Sequence, residues 1–242
     1  MKVGFLGDVH ANLEALDKSL KALRSYGCKF IIATGDIVGY GPQPKECIER
    51  IANMGIHSVL GNHDEYTLDD GPLWTINDEA RYVIEWTRKQ LDKPHLEWLS
   101  SLPDVLDADV FTVIHASNAT SPRWAYVIDD RSAVSNFKKQ TANICFNGHT
   151  HIPILATDNQ DGEPDLELLE DCKLKEGKKY LVNVGSVGQP RDKDPRAACV
   201  AFNTETLELK VIRVEYDLKK TQDVMKKHCF PEKLITRLEI GR

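Results

Sequence analysis

Short apolar runs that close in Gly-Asp, Gly-Asn or a histidine recur along this chain, with amphipathic segments between them. KVGFLGD, residues 2–8, reads as a buried strand ending in a polar turn, and KFIIATGD (29–36) repeats the pattern. Between them, apolar residues at 13, 16, 20 and 23 keep a helical period, with Asn12 placed to cap that helix. A second helix is expected over 45–54, after the proline-bearing turn GYGPQP. HSVLGNHD gives a third strand with a polar exit. Strands alternating with helices predict an α/β sheet with part of its pairing parallel.

The second half changes character. A helical insert is expected at about 66–102, with Trp74, Trp86 and Trp98 as its anchors. DVFTVIHAS is a strand leaving through a histidine, 131–139 a short helix, and NICFNGHTHIP a strand that continues into another at 152–156. DNQDGEPD is turn-rich. KYLVNVGS, AACVAFN and ELKVIRVEY read as antiparallel strands, with TET as a tight turn. A helical tail over 217–238 is interrupted at Pro231. No repeat, low-complexity stretch or clear linker divides the chain, so residues 1–242 are expected to form one domain.

Composition narrows the function classes. The 242 residues are 41% hydrophobic and 28% charged, and 37 acids against 31 bases give a net charge of −6. No basic patch stands out, which speaks against nucleic acid as partner. Six scattered cysteines include no Cys-x-x-Cys, so zinc ribbons and thioredoxin-type motifs are not expected. The apolar run at the start is too short for a secretory signal, and no membrane span is seen; a cytoplasmic protein is the default.

The strand exits carry the chemistry: GDVHAN, GDIVG, GNHD, IHAS and GHTH. Open α/β sheets bind ligands at the carboxyl ends of their strands. One Asp or His at such an end is ordinary turn chemistry. Five together supply carboxylate, amide oxygen and imidazole, the ligands of borderline metals. In GHTH, alternate residues of an extended segment would point the same way, so His149 and His151 fit a metal site. Asn12 either touches substrate or caps its helix. Arg191, in QPRD, either reaches a phosphate with its fork or pairs with Asp192 or Asp194. Tyr40 either stacks on a base or packs in its turn, while Gly185 and Gly188 suit tight turns. His57, His95 and His228 read as surface or packing residues.

In order and residue type, DVH (8–10), GD (35–36), GNHD (61–64), His115 and GHTH (148–151) resemble the calcineurin-like metallophosphoesterase superfamily. The resemblance spans roughly 3–192, and GYGP and NVGSVGQPRD are similar to its small bacterial and archaeal branch. One departure is Gly39, where members often carry a second Asp. That difference, and GNHD in place of GNHE, separate the chain from the Ser/Thr protein phosphatases.

The resemblance implies an α/β/β/α sandwich of two mixed sheets flanked by helices. It also implies two divalent ions, Mn first and Fe or Zn as alternatives. Asp8, His10 and His151 would hold one ion, Asn62, His115 and His149 the other, with Asp36 bridging them. A hydroxide between the ions would attack phosphorus while His63, oriented by Asp64, protonates the leaving group. Asn12, Asn62 and Arg191 would contact the substrate. That substrate would be small and phosphorylated: a phosphomonoester, a phosphodiester or a dinucleoside polyphosphate. A non-catalytic scaffold of the same fold and a nuclease stay open as alternatives, and the oligomeric state is not specified.

Overall fold

The computed structural model describes residues 1–69, 73, 76–119, 123–160 and 163–242, and in it the expected alternation builds two six-stranded mixed sheets. The first stretch runs β1 (Lys2–Leu6), α1 (Leu13–Ser25), β2 (Phe30–Ala33), α2 (Pro44–Asn53) and β3 (His57–Ser58). Then come α3 (Asn62–Leu68), α4 (Asp78–Gln90), α5 (Lys93–Ser100), β4 (Val105–Asp107), β5 (Thr112–Ile114) and α6 (Asp130–Phe137). The strands β6 (Ile144–Asn147), β7 (Pro153–Thr157), β8 (Asp165–Leu168), β9 (Cys172–Lys173) and β10 (Tyr180–Val184) follow. The chain continues through β11 (Ala197–Asn203), β12 (Glu208–Val214), α7 (Leu218–Lys227) and α8 (Glu232–Ile240).

One sheet has the order β3-β2-β1-β11-β12-β9 and the other β4-β5-β6-β10-β7-β8. Their inner faces meet in an apolar layer where Phe5 of β1 stacks on Phe146 of β6, ring centroids 3.8 Å apart, beside Val182 and Phe202. Fully burying a side chain of this size stabilises the fold by about 1.5–3 kcal/mol. Outside the first sheet, α1 and α2 cover Leu6, Ala33 and Cys199 with Leu16, Leu20, Leu23, Ile48 and Ile51. Outside the second, α6 packs Ala133 and Phe137 on Cys145 and Leu181.

Asn12 caps α1, its side chain accepting from the Ala15 amide at 3.2 Å. The third strand is only two residues long, because the chain turns toward α3 at once. The helical insert breaks into α4 and α5 where Asp92 starts a new helix with Pro94 in its first turn. Trp86 packs against Phe230 and Trp98 joins the α1–α2 core, while Trp74 lies outside the described residues. KYLVNVGS departs from the expectation of antiparallel pairing: β10 runs parallel to β6 and antiparallel only to β7. The tail forms two helices, α8 starting after Pro231, and packs on α4.

Candidate metal centre

The parallel strands β1, β2, β5 and β6 all deliver their carboxyl ends to one place. Beyond them the backbone leaves ordinary geometry. Asp8, His10, Asp36, His149 and His151 all have positive φ, between 43° and 71°. L-residues adopt this left-handed conformation only when the surroundings impose it, and it concentrates at functional sites. His149 and His151 therefore do not owe their placement to strand alternation, as GHTH had suggested. Strand β6 ends at Asn147, and a tight loop turns each histidine inward separately. Gly148 permits that loop, since a Cβ there would stand 2.5 Å from Asp8 Oδ2.

Two buried clusters result, Asp8–His10–Asp36–His151 and Asp36–His115–His149, each with ligand atoms within 4.8 Å of one another. Asp36 belongs to both, and Asn62 Oδ1 lies 3.0 Å from His115 Nε2. The tautomers follow from the partners. His10 Nδ1 is 3.0 Å from the Val38 carbonyl, and His151 Nδ1 is 2.6 Å from the Gln189 carbonyl. A carbonyl only accepts, so each Nδ1 carries the proton and each Nε2 is bare. Those two Nε2 atoms are 3.0 Å apart, with Asp36 Oδ2 3.6 Å from one and Asp8 Oδ1 3.7 Å from the other. Acceptors converging without a donor fit a cation, and histidines held through the second nitrogen are the usual metal-site arrangement.

The other cluster is built differently. His115 Nδ1 donates to the Thr34 carbonyl at 2.7 Å and turns Nε2 toward Asp36 Oδ2, 3.3 Å away. His149 instead uses Nε2, 3.1 Å from the Trp124 carbonyl, and so presents Nδ1. Charges show what the pocket favours. Burial disfavours a charged His115, yet Asp36, joined by Asp8 and the Thr34 carbonyl, outweighs it and raises the ring to about 9. Burial alone would raise Asp36, but His115 and His63 hold it well below the carboxylate range. Burial pushes Asp8 up to about 7 against the pull of His115. Burial also drives His10 and His151 well below the usual imidazole range, and His149 down to about 3, keeping their rings neutral. Neutral His10, His151 and His149 beside an anionic Asp36 are ready ligands, whereas His115 has to release a proton to a bound cation.

Several expected roles change. Asp64 does not orient the His63 ring: its oxygens accept from the Val38 and Gly61 amides, both at 3.1 Å, so it fixes the two loops instead. His63 Nδ1 has no hydrogen-bond partner, and the ring is held by packing on Tyr40 at 4.5 Å and His10 at 4.9 Å. Gly39 explains its own departure from the family pattern, because a Cβ there would come 2.5 Å from His63 Nδ1. Asn12 does not face a substrate: Oδ1 accepts from Ala15 and Thr221, and Nδ2 donates to the Gly188 carbonyl. Arg191 pairs with neither nearby acid, since Asp192 pairs with Arg213 and Asp194 with Arg196. Its guanidinium lies 5.5 Å from the Tyr40 ring centroid.

Sequence reasoning missed the aromatic loop beside the second cluster. Trp124 donates its indole N–H to Glu65 Oε2 at 2.8 Å, and Tyr126 stacks on His149 at 4.1 Å. The only signal was the aromatic spacing in RWAY. A cavity of about 250 Å³, lined by His115, Arg123 and Trp124, opens there. A larger one, about 610 Å³, lies at the amino ends of β1–β3 among Met1, Phe30 and Val110, away from every convergent polar group.

A family model for the calcineurin-like phosphoesterase superfamily domain matches residues 1–206. The chain belongs to this superfamily. It is 37% identical to an uncharacterized protein of Methanocaldococcus jannaschii over 247 residues, covering 99% of this chain and 98% of that one. A crystallised metallophosphoesterase from Sphaerobacter thermophilus superposes with a TM-score of 0.87 at 38% identity, covering 100% and 99% of the two chains. A hypothetical protein from Pyrococcus horikoshii OT3 shares the fold, with a TM-score of 0.79 at 22% identity over 100% and 98%. The chain is thus a phosphoesterase with buried Asp and His groupings suited to metal, and the two mixed sheets flanked by helices are the metallophosphoesterase fold. Among the described residues, no helix is long and apolar enough to cross a membrane.

Proposed function

We propose that this metallophosphoesterase hydrolyses a phosphomonoester, a phosphodiester or a dinucleoside polyphosphate with two divalent cations, Mn²⁺ before Fe or Zn. Asp8, His10 and His151 would hold one, Asn62, His115 and His149 the other, and Asp36 both. Bound cations would supply Lewis acidity and a nucleophilic hydroxide near neutral pH. The observation that carries this reading is the pair of bare Nε2 atoms on His10 and His151, 3.0 Å apart with a carboxylate beside each.

The protein's own residues supply the rest. Only Asp8 and Asp36 among these ligands are anionic, so two divalent cations would leave surplus positive charge for phosphoryl oxygens. His63 is the proton donor to the leaving oxygen. Burial lowers its ring to about 4, so in isolation it is neutral. A phosphate beside it adds the negative charge that favours the protonated ring. The test is hydrolysis of monoesters, bis-esters and diadenosine tetraphosphate with added Mn²⁺, with and without chelator. His63→Ala should keep its metal and lose about 10²–10⁴-fold in kcat on poor leaving groups. Two bound ions without turnover on any of these substrates would make the chain a scaffold.

A further inference from the structure

His63 is the proton donor of the reading above, yet among the described residues no polar group holds its ring. Its backbone is fixed at both ends: the amide donates to Asp36 Oδ1 at 2.8 Å, and the carbonyl accepts from Thr67 Oγ1 at 2.8 Å. The side-chain torsions have no such anchor. Nδ1 is buried without a hydrogen-bond partner, and both oxygens of Asp64 are taken by the Val38 and Gly61 amides. Nor can position 39 supply a partner, because a Cβ there would already stand 2.5 Å from Nδ1. Buried polar atoms nearly always find a partner, so an imidazole left in this state has to be aimed by contact.

Three rings stand against it. His10 meets it edge-on at 4.9 Å and is itself fixed through Nδ1 to the Val38 carbonyl. Tyr66 lies at 6.3 Å. Tyr40 comes nearer than either, at 4.5 Å with the planes 48° apart, and it also touches His10 at 4.7 Å. Tyr40 is not there by default. Its φ is +56°, a left-handed conformation that a bulky residue adopts only under constraint. The constraint is local and tertiary. On either side, the Gly41 amide donates to the Gly39 carbonyl at 2.7 Å and closes the turn. Behind the ring, Val83 of α4, Phe230, and Leu234 and Leu238 of α8 share one apolar cluster with it. Tyr40 is only 8% exposed, so its face is not open to a nucleobase. A strained turn and a helix beyond residue 206, where the family model ends, thus converge on the one side chain that needs an aim.

We propose that Tyr40 is the positioning residue of His63. Backed by α4 and α8, it holds the imidazole in one rotamer and sets Nε2, the nitrogen left free once Nδ1 is buried, for the leaving oxygen. This rests on the phosphoesterase reading above and deepens it. In the step concerned, a water oxygen bonds to phosphorus and the P–O bond to the leaving group breaks. The leaving oxygen keeps the electron pair and takes the proton from Nε2. A misaimed donor therefore slows the reaction where that oxygen is basic, and hardly where it leaves unprotonated.

The test compares wild type, Tyr40→Leu and Tyr40→Phe with Mn²⁺ in excess on aryl and alkyl esters. The pairs are p-nitrophenyl phosphate with glycerol 2-phosphate, and bis-(p-nitrophenyl) phosphate with adenylyl adenosine. Tyr40→Leu should lose about 10- to 100-fold in kcat on the alkyl ester and at most a few-fold on the aryl one. Tyr40→Phe, which keeps the ring, should restore the alkyl rate. In a His63→Ala background Tyr40→Leu should cost nothing further on the alkyl ester, as expected of a residue that acts through His63. Leu234→Ala, which loosens only the backing, should show the same selectivity at a smaller size, and it carries the comparison should Tyr40→Leu fail to fold. Equal losses on aryl and alkyl esters, an additive double variant, or loss of metal together with activity would make Tyr40 a general structural residue and overturn the proposal. Wild type inactive on all of these esters would instead refute the phosphoesterase reading itself. The ring can still be judged in that case, in metal-free protein labelled with carbon-13 histidine. The resonance absent from His63→Ala should be one sharp signal in wild type and Tyr40→Phe, and broadened or doubled in Tyr40→Leu; one sharp signal in all three overturns the positioning.

Discussion

The two halves of the candidate metal centre use the same residue types and are supported in different ways. His10 and His151 are both fixed through Nδ1 to carbonyls of well-anchored loops. The Val38 amide donates to Asp64, and the Gln189 amide donates to Ser186 Oγ at 2.8 Å. The opposite half borders the 250 Å³ cavity, and His149 depends on Trp124 and on Tyr126, which is 48% exposed. A ligand held by a packed loop is already in position when the ion arrives, whereas one held by an open loop must be ordered first. The His10–His151 half should therefore bind its cation more tightly than the His115–His149 half.

Asp36 is the one residue that would erase the difference. It belongs to both clusters, and its Oδ1 also accepts from the His63 amide at 2.8 Å. Asp36→Asn should release cations from both halves and lower turnover by about 10³-fold or more. This follows because a cation contributes several kcal/mol and each ~1.4 kcal/mol is tenfold. Metal analysis after gel filtration checks it; a variant that keeps both ions would show that Asp36 does not bridge.

The halves separate with single histidines. His149→Ala should retain one ion per chain and recover part of its activity when Mn²⁺ is raised. His151→Ala should bind that first ion poorly and recover less. Stepwise chelation of the wild type should show two affinities, the weaker lost first. Identical stoichiometry and identical rescue in the two variants would mean that loop support does not decide affinity here.

What the sequence made legible was the set of strand exits. Gly-Asp and histidine after apolar runs are visible because the hydrophobic period stops there, and parallel strands must end side by side. The supports were not legible. The Val38, Gln189, Thr34 and Trp124 carbonyls that set the tautomers are backbone atoms, which any residue at those positions would provide. The left-handed turns at Asp8 and His149 fall on the residue after the glycine, where the sequence gives no sign of positive φ. Tyr40 sits in an ordinary proline-bearing turn, and only the docking of α8 behind it gives its ring a chemical setting. Strand β3 was overestimated because only His57 and Ser58 pair in register with β2, while Val59 beyond them is apolar for packing between the sheets.

The finest test of the comparison lies one step behind the weaker half. Glu65 accepts the Trp124 indole N–H through Oε2, and its Oε1 pairs with Arg123 at 2.7 Å. It thus ties α3 to the loop whose carbonyl holds His149, without touching the centre itself. Glu65→Gln keeps the shape and removes the charge, so the Arg123 pair weakens and the loop gains freedom. Partners one step behind a metal ligand typically change affinity by about 10–100-fold, and a half-exposed pair belongs at the lower end. We expect about a tenfold loss of affinity for the weaker ion, with the tighter one unchanged, read from the same stepwise chelation. An equal shift at both ions would mean that Glu65 stabilises the whole site through α3, which carries Asn62 and His63, and that the two halves are not supported separately.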